Sequence, residues 1–203
     1  LRLGVSETIA HSWLSTFLKR FQEDVPGVTV ELTVDVSVAL RKLLFRGSID
    51  IAFLVGPLPD PAIVNEHLIT VPLVWVASSS LGIGKESQLT AALTQWPIIT
   101  YARNTTPYIE IINKFAQCSE RPASIITSSS LAISRRLVLD GMGISALPMD
   151  LVQNDLDSGL LHVINTSWCP SDLTFTASYP ITPHKPELLP MIALAQSVAK
   201  LNI

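Results

Sequence analysis

The chain has 203 residues, of which 48% are hydrophobic and 15% are charged, and its formal net charge at pH 7 is -3. This composition excludes a disordered chain, which is poor in apolar residues, and a coiled coil, which needs far more charge. A sequence pI of about 5.8 argues against a DNA-binding surface within these residues, because DNA-binding domains are usually basic.

The N-terminal residues predict a strand followed by an amphipathic helix. Residues 1–5 are apolar enough for a buried strand, and Thr8 is the expected N-cap of the helix. One apolar residue recurs at every fourth position of this helix: Ile9, Trp13, Phe17 and Phe21. This spacing predicts a single helix with one wide apolar stripe, which ends at Pro26-Gly27.

The next elements continue the alternation of strands and helices. They are a strand at 28–34, a helix at 38–46 with Ser37 as its N-cap and Gly47 after its C-cap, and a strand at 49–55. The order β-α-β-α-β predicts parallel strands joined by right-handed crossover helices.

The rest of the chain repeats the pattern after a proline-rich loop at 56–61. The predicted elements are an apolar run at 68–78 containing Pro72, a helix at 88–95, a strand at 97–102, a helix at 107–117, a strand at 123–127, a helix at 131–140, a strand at 144–147, a one- or two-turn helix starting at Pro148, strands at 160–164 and 173–179, and a final helix at 187–201. The fold class is therefore α/β.

Four polar turns lie between a predicted strand and the helix that follows it. They are Ser6–Thr8, Ser37, Asn104–Thr106 and Ser128–Ser130. In an open parallel sheet, ligands bind outside the carboxyl ends of the strands, where helix N-termini favour negative charge. If the turns converge, they would form a hydroxyl-rich site for a small anion. The alternative is that each residue only caps its helix.

The sequence shows no catalytic motif. It lacks GxSxG, Walker A and GxGxxG patterns, and its four histidines are not at metal-ligand spacing. The cysteines, Cys118 and Cys169, form no CxxC pair and are expected to be reduced thiols. We therefore predict no metal, no cofactor and no enzymatic activity.

The sequence also lacks membrane and export signals. Its apolar runs are far shorter than the roughly 20 residues of a spanning helix, and no signal peptide is visible. We therefore expect no membrane contact and a cytoplasmic location. Because Leu1 stands directly inside a predicted strand, we also expect a segment to precede it.

Three stretches carry a family resemblance. Residues 1–34 combine a strand ending in Gly4, the pair Ser6-x-Thr8, and the series Leu14, Phe21, Pro26, Val28, Glu31 and Leu32. Residues 43–53, LLFRGSIDIAF, and 137–148, LVLDGMGISALP, follow in order. Together they resemble the effector-binding domain of LysR-type transcriptional regulators. One departure is the loop at 78–84, SSSLGIG, where members often carry His-Pro.

The resemblance implies a fold like the type 2 periplasmic binding proteins. Two Rossmann-like lobes would be joined by two crossover strands, at 71–77 and 175–179, with a small-molecule site in the interlobe cleft. We expect lobe I to comprise residues 1–74 and 176–203, and lobe II residues 75–175. The family likeness also implies a winged helix-turn-helix DNA-binding domain before Leu1, so that DNA would be bound only through that domain, and self-association into homodimers or tetramers.

The resemblance also indicates which residues would contact the effector. They are Ser6, Thr8, Ser37, Val55, Tyr101, Arg103 and Ser129. Val55 takes a place where some members have a polar residue, so the ligand would be partly apolar. The expected function is a ligand-sensing regulatory domain that binds a small organic acid or a comparably small polar effector. The alternatives are a transported-solute binding protein and an enzyme on a similar two-lobed scaffold.

Overall fold

A computed structural model of the chain describes residues 1–83, 95–116, 124–183, 185–186 and 188–201. The chain divides into two compact units: unit 1 comprises Leu1–Val71 with Leu173–Ile203, and unit 2 comprises Pro72–Asp172. The helix predicted at 88–95 lies, except for its last residue, outside the described residues. In the part of the chain that the structure describes, no helix is long and apolar enough to cross a membrane.

The elements follow one another in the alternating order that the sequence predicts. Residues 1–71 form β1 (Arg2–Val5), α1 (Glu7–His11), α2 (Leu14–Asp24), β2 (Glu31–Val34), α3 (Ser37–Phe45), β3 (Ile51–Val55) and β4 (Ile63–Val71). Residues 72–172 form β5 (Leu73–Ser78), a 3-10 turn (Ser79–Leu81), β6 (Ile98–Thr100), α4 (Thr106–Ala116), β7 (Ile125–Thr127), α5 (Leu131–Leu139), β8 (Ser145–Pro148), α6 (Met149–Asp157) and β9 (Leu161–Val163). The chain closes with β10 (Leu173–Pro180) and α7 (Leu188–Lys200).

Unit 1 is built on a five-stranded sheet with the order β2-β1-β3-β10-β4. β1 pairs in parallel with both β2 and β3, and β10 runs antiparallel to β3 and β4. The apolar stripe of the first helical segment is buried as expected, since Ile9, Trp13, Phe17 and Phe21 are each at most 1% exposed. The carboxyl ends of β1, β2 and β3 therefore lie at one edge of the sheet.

The prediction of one continuous helix after β1 is wrong. The structure has two helices, because α1 ends at His11 and α2 begins at Leu14. The hydroxyl of Ser12 donates to the carbonyl oxygens of Thr8 at 2.9 Å and Ile9 at 3.3 Å. Such bonds from a short polar side chain compete with the helical hydrogen bonds and favour a break at this point.

Unit 2 contains a three-stranded antiparallel sheet, β8-β5-β9, and a parallel pair, β6-β7. A single parallel bridge between Ile98 and Ile144 joins β6 to β8. Its apolar side chains form separate clusters, one around Trp75 and Ile98 and one around Val76 and Ile99. Neighbouring residues in a strand point to opposite faces, so each cluster covers one face of these strands.

Other boundaries also differ from the sequence prediction, and two of these differences change an element. The apolar run at 68–78 contains the end of β4, which begins at Ile63, and the whole of β5. The two strands meet at Pro72, a residue without the N–H that a continuous ladder needs. The helix predicted as one or two turns after Pro148 is α6, which has nine residues with Pro148 as its N-cap.

Candidate functional site

Ser6 follows β1 at the carboxyl edge of the unit 1 sheet. Its backbone N–H donates to the carbonyl oxygen of Phe53 at 2.9 Å, which holds the turn against β3. Ser6, and not Thr8, is the N-cap of α1, so the prediction for Thr8 is wrong; Thr8 is the second residue of the helix. Ser6 takes this place because its extended backbone, with φ -68° and ψ 149°, ends the strand and turns directly into the helix.

The side chain of Ser6 is buried without a polar contact. The residue is 5% exposed, its side chain makes no capping bond, and its Oγ has no hydrogen-bond partner among the described residues. A buried hydroxyl is normally paired, and leaving it unpaired costs about 1–3 kcal/mol. This hydroxyl is therefore available to a ligand.

Ser37 does not cap α3, contrary to the sequence prediction. Val36 is the N-cap, and Ser37 is the first helical residue. The Ser37 Oγ accepts a hydrogen bond of 3.0 Å from the backbone N–H of Val55, the last residue of β3. The Ser37 hydroxyl makes this hydrogen bond instead of the expected capping bond, and the bond joins Ser37 to Val55. The hydroxyl proton of Ser37 stays available to a second acceptor.

Tyr101 and Arg103 follow β6 in unit 2. The ring of Tyr101 packs against the cluster around Val76, and its buried hydroxyl has no hydrogen-bond partner in the described chain. Burial, with a smaller effect from nearby Cys169, raises the pKa of this hydroxyl, so that it remains a donor at neutral pH. The Arg103 side chain is exposed. The Thr105 hydroxyl closes the turn by donating to the Ala102 carbonyl oxygen at 2.8 Å.

Ser129 is the exposed middle residue of the turn after β7. The N-cap of α5 is its neighbour Ser130, whose hydroxyl accepts from the Ile133 N–H at 3.4 Å. Ser128 fixes the turn, since its hydroxyl accepts from the Ser130 N–H and donates to the Ser130 carbonyl oxygen, both at 3.0 Å. Ser129 is thus held at the carboxyl edge of the parallel pair β6-β7 with its side chain exposed.

Sequence reasoning missed a second set of buried polar atoms in unit 2. Trp75 Nε1, Thr100 Oγ1 and Ser145 Oγ are buried and lack hydrogen-bond partners among the described residues. All three residues are at most 1% exposed. Their strands are rich in apolar residues, so the sequence marks them only as core positions. Thr100 lies inside the strand predicted at 97–102, although the observed β6 ends at this residue, so no signal in the sequence singles it out.

The opposite edge of the unit 1 sheet carries an ion cluster. The carboxylate of Asp50 accepts from the backbone N–H and the guanidinium of Arg2, at 2.8 and 2.6 Å, and lies 2.9 Å from Lys185 Nζ. Burial works to raise the pKa of Asp50, but the bonds to Arg2 and Lys185 outweigh it and hold the pKa well below its usual range. These residues line an open cavity of about 350 Å³.

Cys169 is a free, partly buried thiol. It donates a hydrogen bond of 3.0 Å to the Leu73 carbonyl oxygen. Burial, together with the charge of Asp172, raises its pKa to about 12. A thiol with such a pKa is a poor nucleophile at neutral pH, because the thiolate is the reactive form. The other cysteine, Cys118, lies outside the described residues.

Comparison with known proteins identifies the family. A family model described as the LysR substrate binding domain matches residues 1–198. The chain is 24% identical over 166 residues to the uncharacterized HTH-type transcriptional regulator YeiE of Escherichia coli (strain K12), a match that covers 81% of this chain and 56% of that protein. A match at 22% identity over 167 residues covers 81% of this chain but only 34% of the phosphonates import ATP-binding protein PhnC of Anaeromyxobacter dehalogenans (strain 2CP-C). The chain thus spans about half the length, or less, of these curated relatives.

A solved structure shows the same fold. The BenM effector binding domain with its effector benzoate superposes with a TM-score of 0.74 at 17% identity, over 99% of this chain and 92% of that chain. At this identity the likeness concerns the fold alone. It confirms the prediction of an α/β fold of the LysR substrate-binding, periplasmic-binding-protein-like type.

Proposed function

The chain belongs to the LysR substrate-binding domain family, and from this premise we propose that it is the effector-sensing part of a transcription regulator. A small organic acid, or a comparably small polar molecule, binds to it and thereby changes how the full-length protein binds DNA and controls transcription. As the family resemblance implies, DNA is contacted by a separate DNA-binding domain. This chain has a net charge of -3 and offers little to attract phosphates. As a regulator of transcription, the protein works in the cytoplasm, where its DNA lies.

The effector contacts in this proposal are the residues at the carboxyl edges of the two sheets. They are Ser6, Thr8, Ser37 and Val55 in unit 1 and Tyr101, Arg103 and Ser129 in unit 2. The observation that carries the proposal is the Ser6 hydroxyl, which is buried and unpartnered at the edge where ligands of parallel sheets bind. An acidic ligand that accepts its hydrogen bond would supply the missing partner.

Recognition without reaction fits the surroundings of this hydroxyl. A serine becomes a nucleophile when an adjacent base accepts its proton. Among the described residues, no histidine or carboxylate forms a hydrogen bond with the Ser6 Oγ. We therefore assign the chain a binding role and not an enzymatic one.

The test starts from ligand discovery. A panel of small carboxylic acids, beginning with benzoate, is screened for compounds that raise the melting temperature of the chain, and calorimetry then measures the dissociation constant of the best acid. We expect Ser6→Ala to weaken binding about tenfold or more, since a hydrogen bond to a charged group contributes about 1.5–3 kcal/mol. Thr8→Val and Ser129→Ala test the other proposed hydroxyls in the same way.

The control is Ser15→Ala, which removes an exposed hydroxyl from α2. It should bind the acid as tightly as the parent chain does. If Ser6→Ala, Thr8→Val and Ser129→Ala all keep the parent affinity, the acid binds elsewhere and the assigned site is wrong. If no acid of the panel stabilises the chain, the proposed class of effector is wrong.

A further inference from the structure

A cavity opens at the edge of the unit 1 sheet where β1 and β3 begin, opposite the edge that carries Ser6. Its volume is about 350 Å³, at the small end of the range for small-molecule sites. All of its described lining residues belong to unit 1. The four residues of β1 separate the two edges by roughly 13 Å. The cavity is therefore distinct from the proposed effector contacts of unit 1.

Three charged side chains line this cavity and carry a net positive charge. The Asp50 carboxylate lies between Arg2, whose Nη2 donates to it at 2.6 Å, and Lys185, whose Nζ lies 2.9 Å away. Burial works against the ionisation of Asp50, but the bonds to Arg2 and Lys185 outweigh it and keep the pKa low, so Asp50 is a carboxylate at neutral pH. Two cations and one carboxylate leave one positive charge in excess. The charge of Glu31 also acts on Arg2, but Glu31 is not within ion-pair distance of it and does not line the cavity.

The two cations keep hydrogen-bond donors that Asp50 does not use. A guanidinium has five N–H groups and an ammonium has three. In the part of the chain that the structure describes, the Arg2 guanidinium donates only through Nη2, and the Lys185 ammonium contacts only Asp50. Both side chains are partly exposed, at 41% for Arg2 and 33% for Lys185. Their spare donors are therefore available to an anion that enters the cavity.

The remainder of the cavity lining is mostly apolar. Ile49 and Leu188 are each 3% exposed, and they line the cavity together with Pro180 and Pro183. Gly47 also lines it, and a Cβ built on this residue would meet no described atom within 4 Å, so the cavity is open on this side. Apolar walls contribute to binding when they cover apolar surface of a ligand. A ligand that fits this cavity therefore has an apolar body beside its charged group.

We propose that this cavity is a second ligand site, which binds a small monocarboxylic acid with a short aliphatic body. The carboxylate accepts hydrogen bonds from Arg2 and Lys185, and the aliphatic body lies against Ile49 and Leu188. Hydrogen bonds between charged groups are the stronger kind, and the planar guanidinium matches the shape of a carboxylate. One carboxylate also balances the single excess positive charge, whereas inorganic phosphate would leave the apolar walls uncovered. The site goes beyond the proposed function, because none of the proposed effector contacts takes part in it.

The test uses 3-methylbutanoate, a branched five-carbon acid, as the probe in NMR spectra of the isotope-labelled chain. The probe is titrated at constant ionic strength with chloride as the balancing anion. We expect saturable shifts of the backbone N–H signals of Gly47 and Asp50, and NOEs from the probe's methyl groups to those of Ile49 and Leu188. Lys185→Gln should raise the apparent dissociation constant about fivefold or more, because it removes one charged donor at a partly exposed position. The uncharged 3-methylbutanamide should bind about tenfold more weakly than the acid.

Lys200→Gln is the matched control. Lys200, the last residue of α7, is exposed and does not line the cavity, so this variant loses the same charge as Lys185→Gln at another place. Lys200→Gln and Ser6→Ala should both bind the probe as the parent chain does.

Three results would overturn the inference: no NOE to Ile49 or Leu188, equal weakening in the two lysine variants, or inorganic phosphate binding as tightly as the probe. If the acid found by calorimetry depends on Ser6 while the probe gives no NOE to Ile49 or Leu188, the proposed function stands and the second site fails. Probe binding that depends on Lys185 when no acid depends on Ser6, Thr8 or Ser129 would give the opposite result.

Discussion

Asp50 shows how one residue can hold two segments of unit 1 together. Its carboxylate, with a side chain 5% exposed, contacts Arg2 at the start of β1 and Lys185 between β10 and α7. A buried carboxylate without partners would be strongly unfavourable, and here two cations and a backbone N–H replace its water. The residue thus ties the N-terminal strand to the segment that returns from unit 2.

We predict that Asp50→Asn lowers the free energy of unfolding by about 1.5–3 kcal/mol, because it removes the charged acceptor from the hydrogen bonds with Arg2 and Lys185, whose side chains are 41% and 33% exposed. The folded-state pKa of Asp50 is lowered, so its stabilisation is fully present above an unfolded-state pKa of about 3.9 and is lost as the pH falls through the folded-state pKa. Urea unfolding at pH 7 measures the effect of the substitution, and urea unfolding from pH 5 down to pH 2 follows the acid dependence.

The control for this prediction is Asp140→Asn. Asp140 forms an exposed i,i+4 pair with Arg136, with side-chain exposures of 44% and 72%, and such pairs contribute little. Its loss should change stability by no more than about 0.5 kcal/mol. Equal effects of the two substitutions, or an acid dependence that Asp50→Asn leaves unchanged, would show that the ion cluster is not a stabilising feature.

At the scale of the residue, the sequence located the polar turns but not the partner of each hydroxyl. Ser6 and Ser37 both follow a strand and precede a helix, so the sequence predicts the same role for their hydroxyls. In the structure Ser37 accepts from the Val55 N–H, whereas Ser6 has no partner. Both serines contact β3, Ser6 through its own N–H and Ser37 through its hydroxyl, so the difference depends on which backbone group tertiary packing brings to each hydroxyl.

At the scale of the element, α1 and α2 show that one buried apolar stripe can continue across the break between two helices. The spacing of four residues predicted which side chains are buried, but it did not predict the end of α1 at Ser12, whose hydroxyl donates to the Thr8 carbonyl oxygen. Trp13, between the helices, still contacts Phe17 and Phe53, with ring centroids 6.2 and 5.9 Å apart. Hydrophobic periodicity is thus a better predictor of burial than of helix ends, because local hydrogen bonds determine the ends.

We predict that Phe17→Ala destabilises the chain by about 3–5 kcal/mol, the usual cost of removing a buried aromatic side chain. Phe17 is completely buried and packs between Trp13 and Phe53, with the Phe53 ring 5.4 Å away at 71°. Thr16→Ala, at the exposed neighbouring position, should change stability by less than about 0.5 kcal/mol. Chemical denaturation of the two variants compares them, and a Phe17→Ala effect no larger than that of Thr16→Ala would contradict this packing.

The loop after β3 depends on a close approach between two elements. A Cβ at Gly56 would overlap the Thr176 side chain of β10. The Thr176 hydroxyl also lies 2.8 Å from that of Ser178, which donates to the Asn65 side chain at 2.8 Å. Asn65 in turn binds the backbone of Leu58. A hydrogen-bonded network therefore attaches the proline-rich loop to β4 and β10.

We predict that Gly56→Ala destabilises the chain by about 2 kcal/mol, because the extra methyl overpacks this contact. Thr176→Ala removes the opposing atoms, so the double variant should recover part of the loss that Gly56→Ala causes. A double-mutant cycle by urea denaturation measures this coupling. If the two single effects add without coupling, the close approach is not what requires glycine at position 56.

At the scale of the whole molecule, the alternation of strands and helices was predictable from local patterns. The pairing of the C-terminal strand β10 with β3 and β4 was not. The spacing of apolar residues and the turn residues between elements indicated β1, β2 and β3 of unit 1. That β10 inserts between β3 and β4, more than one hundred residues later, is a long-range pairing. No local pattern encodes such a pairing, and only the family resemblance predicted that the C-terminal segment rejoins the first part.

Exposed apolar side chains lie on the outer strands β2 and β7 and on helix α5. Leu32 and Val34, on the edge strand β2, are 41% and 46% exposed, and Ile125 on β7 and Ile133 on α5 are 38% and 54% exposed. Uncovered strands of this kind tend to associate with other chains. On the ground of the family resemblance we propose a homodimer in which unit 1 of one chain meets unit 2 of its partner head to tail.

We predict that the parent chain sediments as a dimer or larger oligomer and that Val34→Lys weakens this association at least tenfold, because a charge would be buried against the partner's apolar surface. Ile181→Lys is the control: Ile181 is 51% exposed but lies just after β10, away from the edge strand β2. It should sediment as the parent chain does. A parent chain that sediments as a 22.1 kDa monomer at high concentration would contradict self-association. Equal effects of Val34→Lys and Ile181→Lys would show that β2 is not part of the interface.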